Sequence, residues 1–180
     1  MNINKPRHVM IDLETMGLKP GSAIVSIGAV VFDPRYSKVS KVKTFYRELD
    51  WESQDRTIDE ETRNWWERQP KVAQDAMHGL DDLEAVLVEL ADWLPKDCKV
   101  WGNGPTFDIT ILEDAYSQFG IEVPWKFWNI RDCRTIKDMY ESARGGYEKK
   151  SGGVMHHALD DAIHQAEYVC YMWRSLLAGK

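Results

Sequence analysis

Asp12 and Glu14 stand two residues apart at the end of the apolar run that begins at His8. Strand side chains alternate faces, so these two carboxylates share one face. Like charges that close raise each other's pKa unless a cation sits between them. A divalent ion that prefers oxygen ligands, Mg²⁺ or Mn²⁺, is the cation such a pair would hold. In isolation an Asp-x-Glu is more often a solvated strand end, so the rest of the chain has to decide.

Three further residues bear on that decision: Asp108, His156 and Asp161. Asp108 opens a helical pattern whose apolar stripe includes Ile111, Leu112, Ala115 and Phe119, and it falls on that stripe. A charge turned toward a core needs a partner, whereas an Asp merely placed in a first turn for the helix dipole has no reason to point inward. Asn103, between Gly102 and Gly104, lies in a strand-to-helix turn where backbone can approach a ligand. The last helical segment presents Ala162, Ala166, Val169 and Cys170 to the core. Asp160 and Asp161 both flank that stripe, and periodicity does not choose between them. A histidine five residues before an acid on one helix would point about 140° away from it, so a His156 that works with Asp161 must precede the regular helix.

The ordered set Asp-x-Glu-Thr, Phe107-Asp108 and His156-x-x-x-x-Asp161 resembles the DEDD superfamily of 3′–5′ exonucleases, in its histidine (DEDDh) branch. The runs Asp12 to Gly17 and Ile24 to Ala29 are similar to a bacterial and phage subgroup. The resemblance implies a ribonuclease H-like α/β fold and hydrolysis of phosphodiester bonds at single-stranded 3′ ends of DNA or RNA, giving nucleoside 5′-monophosphates. It implies two Mg²⁺ or Mn²⁺ ions on Asp12, Glu14, Asp108 and Asp161, with His156 as general base. Thr15, Met16, Asn103, Phe107 and Trp66 are the substrate-side positions it suggests, with Met16 and Leu18 as a wedge against the terminal nucleotide. Trp65 and Trp66 diverge by about 100° on a helix, so one is core and the other at least partly exposed, as a stacking platform would need to be. A ribonuclease H-type endonuclease and an inactive binding module are the alternatives. Internal cuts would mark the first and a missing acid the second; no acid is missing.

The elements that must position these residues read as follows. His8 to Leu13, Ala23 to Phe32 and Val42 to Leu49 form an antiparallel meander. Thr57 to Glu60 reads as a capping box opening a helix toward Pro70. A short helix follows Pro70, and Asp82 to Leu94 is amphipathic. Lys99 to Gly102 and Trp128 to Asp132 read as strands, and Thr106 to Phe119, Thr135 to Ser142 and Ala158 to Leu177 as helices. Arg144 to Gly153 is a charged, glycine-rich loop whose Arg144, Lys149 and Lys150 are in reach of phosphates. The whole, 1–180, reads as one domain with a mixed five-stranded sheet flanked by helices.

The 180 residues suffice for a sizeable core. No apolar run reaches the length of a membrane span and no signal-peptide pattern follows Met1. The three cysteines have no metal-ligand spacing; a reduced, cytoplasmic setting is expected. A net charge of −6 argues against tight non-specific duplex binding, although metal ions would neutralise part of the acidic set. The eight tryptophans allow an aromatic homodimer interface without requiring one.

Overall fold

The computed structural model of the chain describes residues 7–36, 39, 43–146 and 156–178. Its centre is β1 (His8–Thr15), buried along nearly its whole length because helices cover both of its faces. β2 (Ile24–Phe32) pairs antiparallel with β1, and β3 (Thr44–Glu48) antiparallel with β2. β4 (Lys99–Gly102) and β5 (Ile130–Asp132) then add in parallel on the other side, giving the order β3-β2-β1-β4-β5. Val42 lies outside the described residues. The fifth strand begins at Ile130 and not at Trp128, since Phe127–Asn129 is a 3₁₀ turn.

Odd-numbered residues of β1, Val9, Ile11 and Leu13, pack under α3 (Leu83–Trp93) and α4 (Asp108–Gln118). Met10 points to the opposite face, under α5 (Cys133–Arg144) and α6 (Ala158–Leu177). Asp12 and Glu14 share the parity of Met10, so the strand delivers both to the α6 side. α1 (Glu60–Trp66) and α2 (Lys71–Asp75) close a third, smaller cluster around Met16, Ala23 and Val25.

The helix starts follow side-chain caps. Asp82 accepts from the Ala85 N–H, and Asp132 accepts from those of Arg134 and Thr135, which starts α5 at Cys133 rather than Thr135. The box expected at Thr57 does not form. Asp59 caps α1, accepting from the Thr62 N–H at 2.8 Å, while the Thr57 hydroxyl is spent on the Gly21 carbonyl. Arg144 belongs to the end of α5 and donates to the Ser175 carbonyl, near the far end of α6, so it faces away from the acids. Lys149 and Lys150 lie outside the described residues. Among the described residues no helix is long and apolar enough to cross a membrane.

One close approach sets the height of α6 over the sheet. A Cβ on Gly28 would lie 2.2 Å from the Ala158 carbonyl carbon and from the Leu159 nitrogen, both backbone atoms that cannot swing aside. Gly28 is the β2 partner of Asp12. Gly28→Ala should therefore lift the N-terminus of α6, costing roughly 3 kcal/mol or more, toward the upper end for overpacking. Gly21→Ala, where an added Cβ meets nothing within 4 Å, should stay within about 0.5 kcal/mol of the parent. Urea midpoints of the two variants check this.

Candidate active site

The β1 alternation and the first turn of α6 bring Asp12, Glu14 and Asp161 together, with one carboxylate oxygen from each inside 4.8 Å of the others. Glu14 is 9% exposed. Asp108, the first residue of α4, is buried to 3% exposure, and its Oδ1 accepts the Leu13 N–H at 3.2 Å. The inward direction read from the helix stripe is thus realised, and the β1 backbone is the partner that a buried charge requires.

Burial dominates the electrostatics. It holds Asp12 well above the usual carboxylate range, reinforced by the charges of Asp108 and Glu14 and opposed by a hydrogen bond from Gln165. Burial, then Asp161 and Asp108, push Glu14 up to about 8. Burial raises Asp108 to about 7 against the N–H groups that favour its anion. A cluster of acids that resists ionising on its own, built from oxygen donors only, suits a divalent cation.

His156 sits one step outside the helix with φ 62°, and its backbone N–H donates to Asp161 Oδ2 at 3.1 Å. Its ring meets Trp65 edge-on, 4.8 Å between centroids. His157 is the N-cap of α6, accepting the Asp160 N–H on Nδ1, and it stacks on Tyr46 at 4.4 Å. Adjacent histidines therefore have separate places: one at the acids, one in the helix cap.

Glu14 and Phe107 form the divide between two clefts. One, of about 630 Å³, is walled by Thr15, Leu18, Lys19, Thr62 and Trp65, a volume within the range of small-ligand sites. Its outer loop is pinned by Arg56, whose buried guanidinium donates to the Pro20 and Ser22 carbonyls and to Asp114. The other, of about 670 Å³, holds the acids together with Asn103, Arg134, Lys137, His164 and Tyr168. Asn103 Oδ1 accepts the Tyr168 hydroxyl at 3.3 Å.

Two substrate-side expectations need correction. Met16 is fully buried in the third cluster, so its side chain cannot wedge a nucleotide; Leu18, 79% exposed, is the apolar residue at the cleft mouth. Trp66 is 1% exposed, with its indole N–H on the Thr15 carbonyl. The open ring is that of Trp65, 37% exposed. Sequence reasoning passed over Arg134, Lys137, His164 and Gln165. Only His164 and Gln165 carried a usable signal, lying three and four residues after Asp161 on one helix and hence on its face.

Four acids from β1, α4 and α6, and the histidine that precedes α6, thus line one cleft of a mixed five-stranded sheet. The chain belongs to the 3′–5′ exoribonuclease Rv2179c-like domain family, whose profile matches residues 7–173. The exodeoxyribonuclease of Enterobacteria phage T4 is 26% identical over 156 residues, covering 70% of this chain and 68% of that protein. The nuclease domain of 3′hExo, a DEDDh family member bound to rAMP, superposes with a TM-score of 0.62 at 16% identity, over 97% of this chain and 95% of that one. Exonuclease I of E. coli, in complex with a dT13 oligonucleotide, gives a TM-score of 0.62 at 14% identity, over 96% of this chain but only 41% of its own length.

The raised acids make the metal-free fold pH-sensitive. Glu14 holds its proton to about 8 when folded, against an ordinary value of 4.5. The folded state thus binds the proton more tightly than the unfolded one, and stability is lost as pH rises from about 4.5 to 8. In chelator, Glu14→Gln should be more stable than the parent at pH 8, by on the order of a few kcal/mol. The gap should close toward pH 5. Thermal melts across this range check the sign.

Proposed function

We propose that the chain removes nucleotides one at a time from single-stranded 3′ ends, releasing nucleoside 5′-monophosphates, with two Mg²⁺ or Mn²⁺ ions at the acids. The observation that carries this reading is the meeting of three carboxylates within 4.8 Å in the second cleft, with Glu14 on its divide from the first. We take the whole span 1–180 as one exonuclease domain.

Asp12, Glu14 and Asp161 would hold the ion nearest the attacking water, and Asp12 with Asp108 the second. Bound divalent ions supply charge that activates water and stabilises the departing oxygen. His156 accepts the water's proton as the new P–O bond forms and the bond to the upstream 3′ oxygen breaks. Its contact with Trp65 places it at the boundary of the two clefts. Thr15, Leu18, Phe107 and Trp65 line the space for the terminal nucleoside, with Trp65 offering the face on which a base stacks. Arg134, Lys137 and His164 line the neighbouring cleft and would meet the strand's phosphates. Against an overall charge of −6, and with Asp138 in the same cleft and Glu141 3.7 Å from Lys137, these groups would attract phosphate over a few nucleotides only.

Asp12→Ala or Asp108→Ala should lower turnover by several orders of magnitude without unfolding the chain. His156→Ala should lower it roughly 10²–10⁴-fold and leave metal binding in place. End-labelled DNA and RNA strands with Mg²⁺ or Mn²⁺ report these changes. Cleavage that persists in excess chelator, internal cuts, or a ladder growing from the 5′ end would each refute the reading.

Lys137→Ala should weaken binding of a single strand and flatten its dependence on salt. The slope of log K against log salt should fall by roughly 0.7 for one lost contact to a single strand. An unchanged slope would remove Lys137 from the phosphate path.

A further inference from the structure

We infer that Gln165 is a positioning residue for the metal site; this rests on the metal-dependent reading above. Gln165 lies on α6 four residues after Asp161, so a single helix face carries both a carboxylate of the cluster and an amide beside it. Its Nε2 donates to Asp12 Oδ1 at 2.6 Å. The residue is 7% exposed, and its Oε1 is buried without a hydrogen-bond partner among the described residues.

A buried, half-satisfied amide is an unfavourable choice for packing. An unmade hydrogen bond on a buried acceptor costs about 1–3 kcal/mol, and an apolar side chain of the same length would fill the space without that cost. What the amide alone supplies is a fixed donor to Asp12. A carboxylate turns about its Cβ–Cγ bond, and Asp12 is expected to face both ions at once. With Oδ1 held from the α6 side, the plane of the carboxylate is set before any ion arrives. Asp12 sits in the middle of β1, so its backbone is fixed by the sheet; the remaining freedom is rotation about Cα–Cβ and Cβ–Cγ, and the hydrogen bond from Gln165 restricts it. Such outer partners of a metal ligand typically control 10–100-fold of metal affinity or activity.

Gln165→Met keeps the length and removes the donor. Melting in chelator should leave the variant close to the parent, because the unpartnered Oε1 is lost together with the donor to Asp12 Oδ1. Titration with Mn²⁺ should show affinity lowered roughly 10–100-fold. At saturating Mn²⁺, kcat should remain below the parent's while KM for a single-stranded oligonucleotide is unchanged. A variant with lower melting temperature but parental Mn²⁺ affinity would show that Gln165 is a packing residue and overturn the inference. Should Gln165→Met fail to fold, the parent protein still gives an answer. Its Gln165 side-chain amide resonances, assigned by NMR, should move during Mg²⁺ titration with the midpoint of metal binding, and indifference to Mg²⁺ would overturn the inference. A parent that binds no divalent ion would bring down the metal reading itself, an outcome distinct from loss of the Gln165 effect alone.

Discussion

The contact of α6 backbone with Gly28 is the constraint on which the site depends. A helix normally rides well above a sheet, held off by side chains on both surfaces. Here the missing Cβ of Gly28 lets the first turn of α6 touch β2 directly. Gly28 pairs with Asp12 on one side and Tyr46 on the other. The same row therefore places the helix start against the strand, the first acid below it, and the ring on which His157 stacks. With the helix at this height, Asp161 reaches the β1 carboxylates and Gln165 reaches Asp12 one turn later. The α4 side needs no comparable device, because Asp108 is anchored to the β1 backbone itself.

This closeness works against stability. Four acids, three of them raised above their ordinary range mainly by burial, crowd the end of the sheet. The fold tolerates them because its central strand is packed on both faces. Val9, Ile11 and Leu13 join one cluster and Met10 the other, and each of these residues is nearly or wholly inaccessible to solvent. On the Met10 face the core thus takes the N-terminal half of β1, and the acids take the C-terminal half. The loop after β1, at the outer cleft, is held by Arg56, whose guanidinium donates to the Pro20 and Ser22 carbonyls and to Gln118 and Asp114.

What was legible in the sequence follows from which quantities are local. The period of two along β1 is local, and it placed Asp12 and Glu14 on one face. The apolar stripe of α4 is local, and it turned Asp108 inward. The bounds of α6 were readable because its pattern runs unbroken from Ala158 to Leu177. The choice between Trp65 and Trp66 was not readable, because their 100° divergence shows that one is buried without saying which; the third cluster decides, and it takes Trp66 together with Met16. Thr57 and Asp59 both cap helices well, and only the Gly21 carbonyl, brought near by the loop after β1, takes the threonine out of competition. Arg134, Lys137 and His164 come from two helices, and their meeting at one cleft is a property of the fold alone.

The two histidines show how finely a boundary can divide labour. His157 has an extended backbone and caps the helix, as its neighbourhood of helix formers demands. His156 then has to leave the chain's direction at once, and it does so at φ 62°, a left-handed conformation that costs a non-glycine residue on the order of 1–3 kcal/mol. That cost is offset locally by its N–H on Asp161 and its ring against Trp65. Had His156 continued the helix backward, it would point about 140° from Asp161 and could not share its cleft. The strain is therefore the means by which a histidine five residues from an acid comes to lie beside it, and the contact with Trp65 ties its place to the divide between the two clefts.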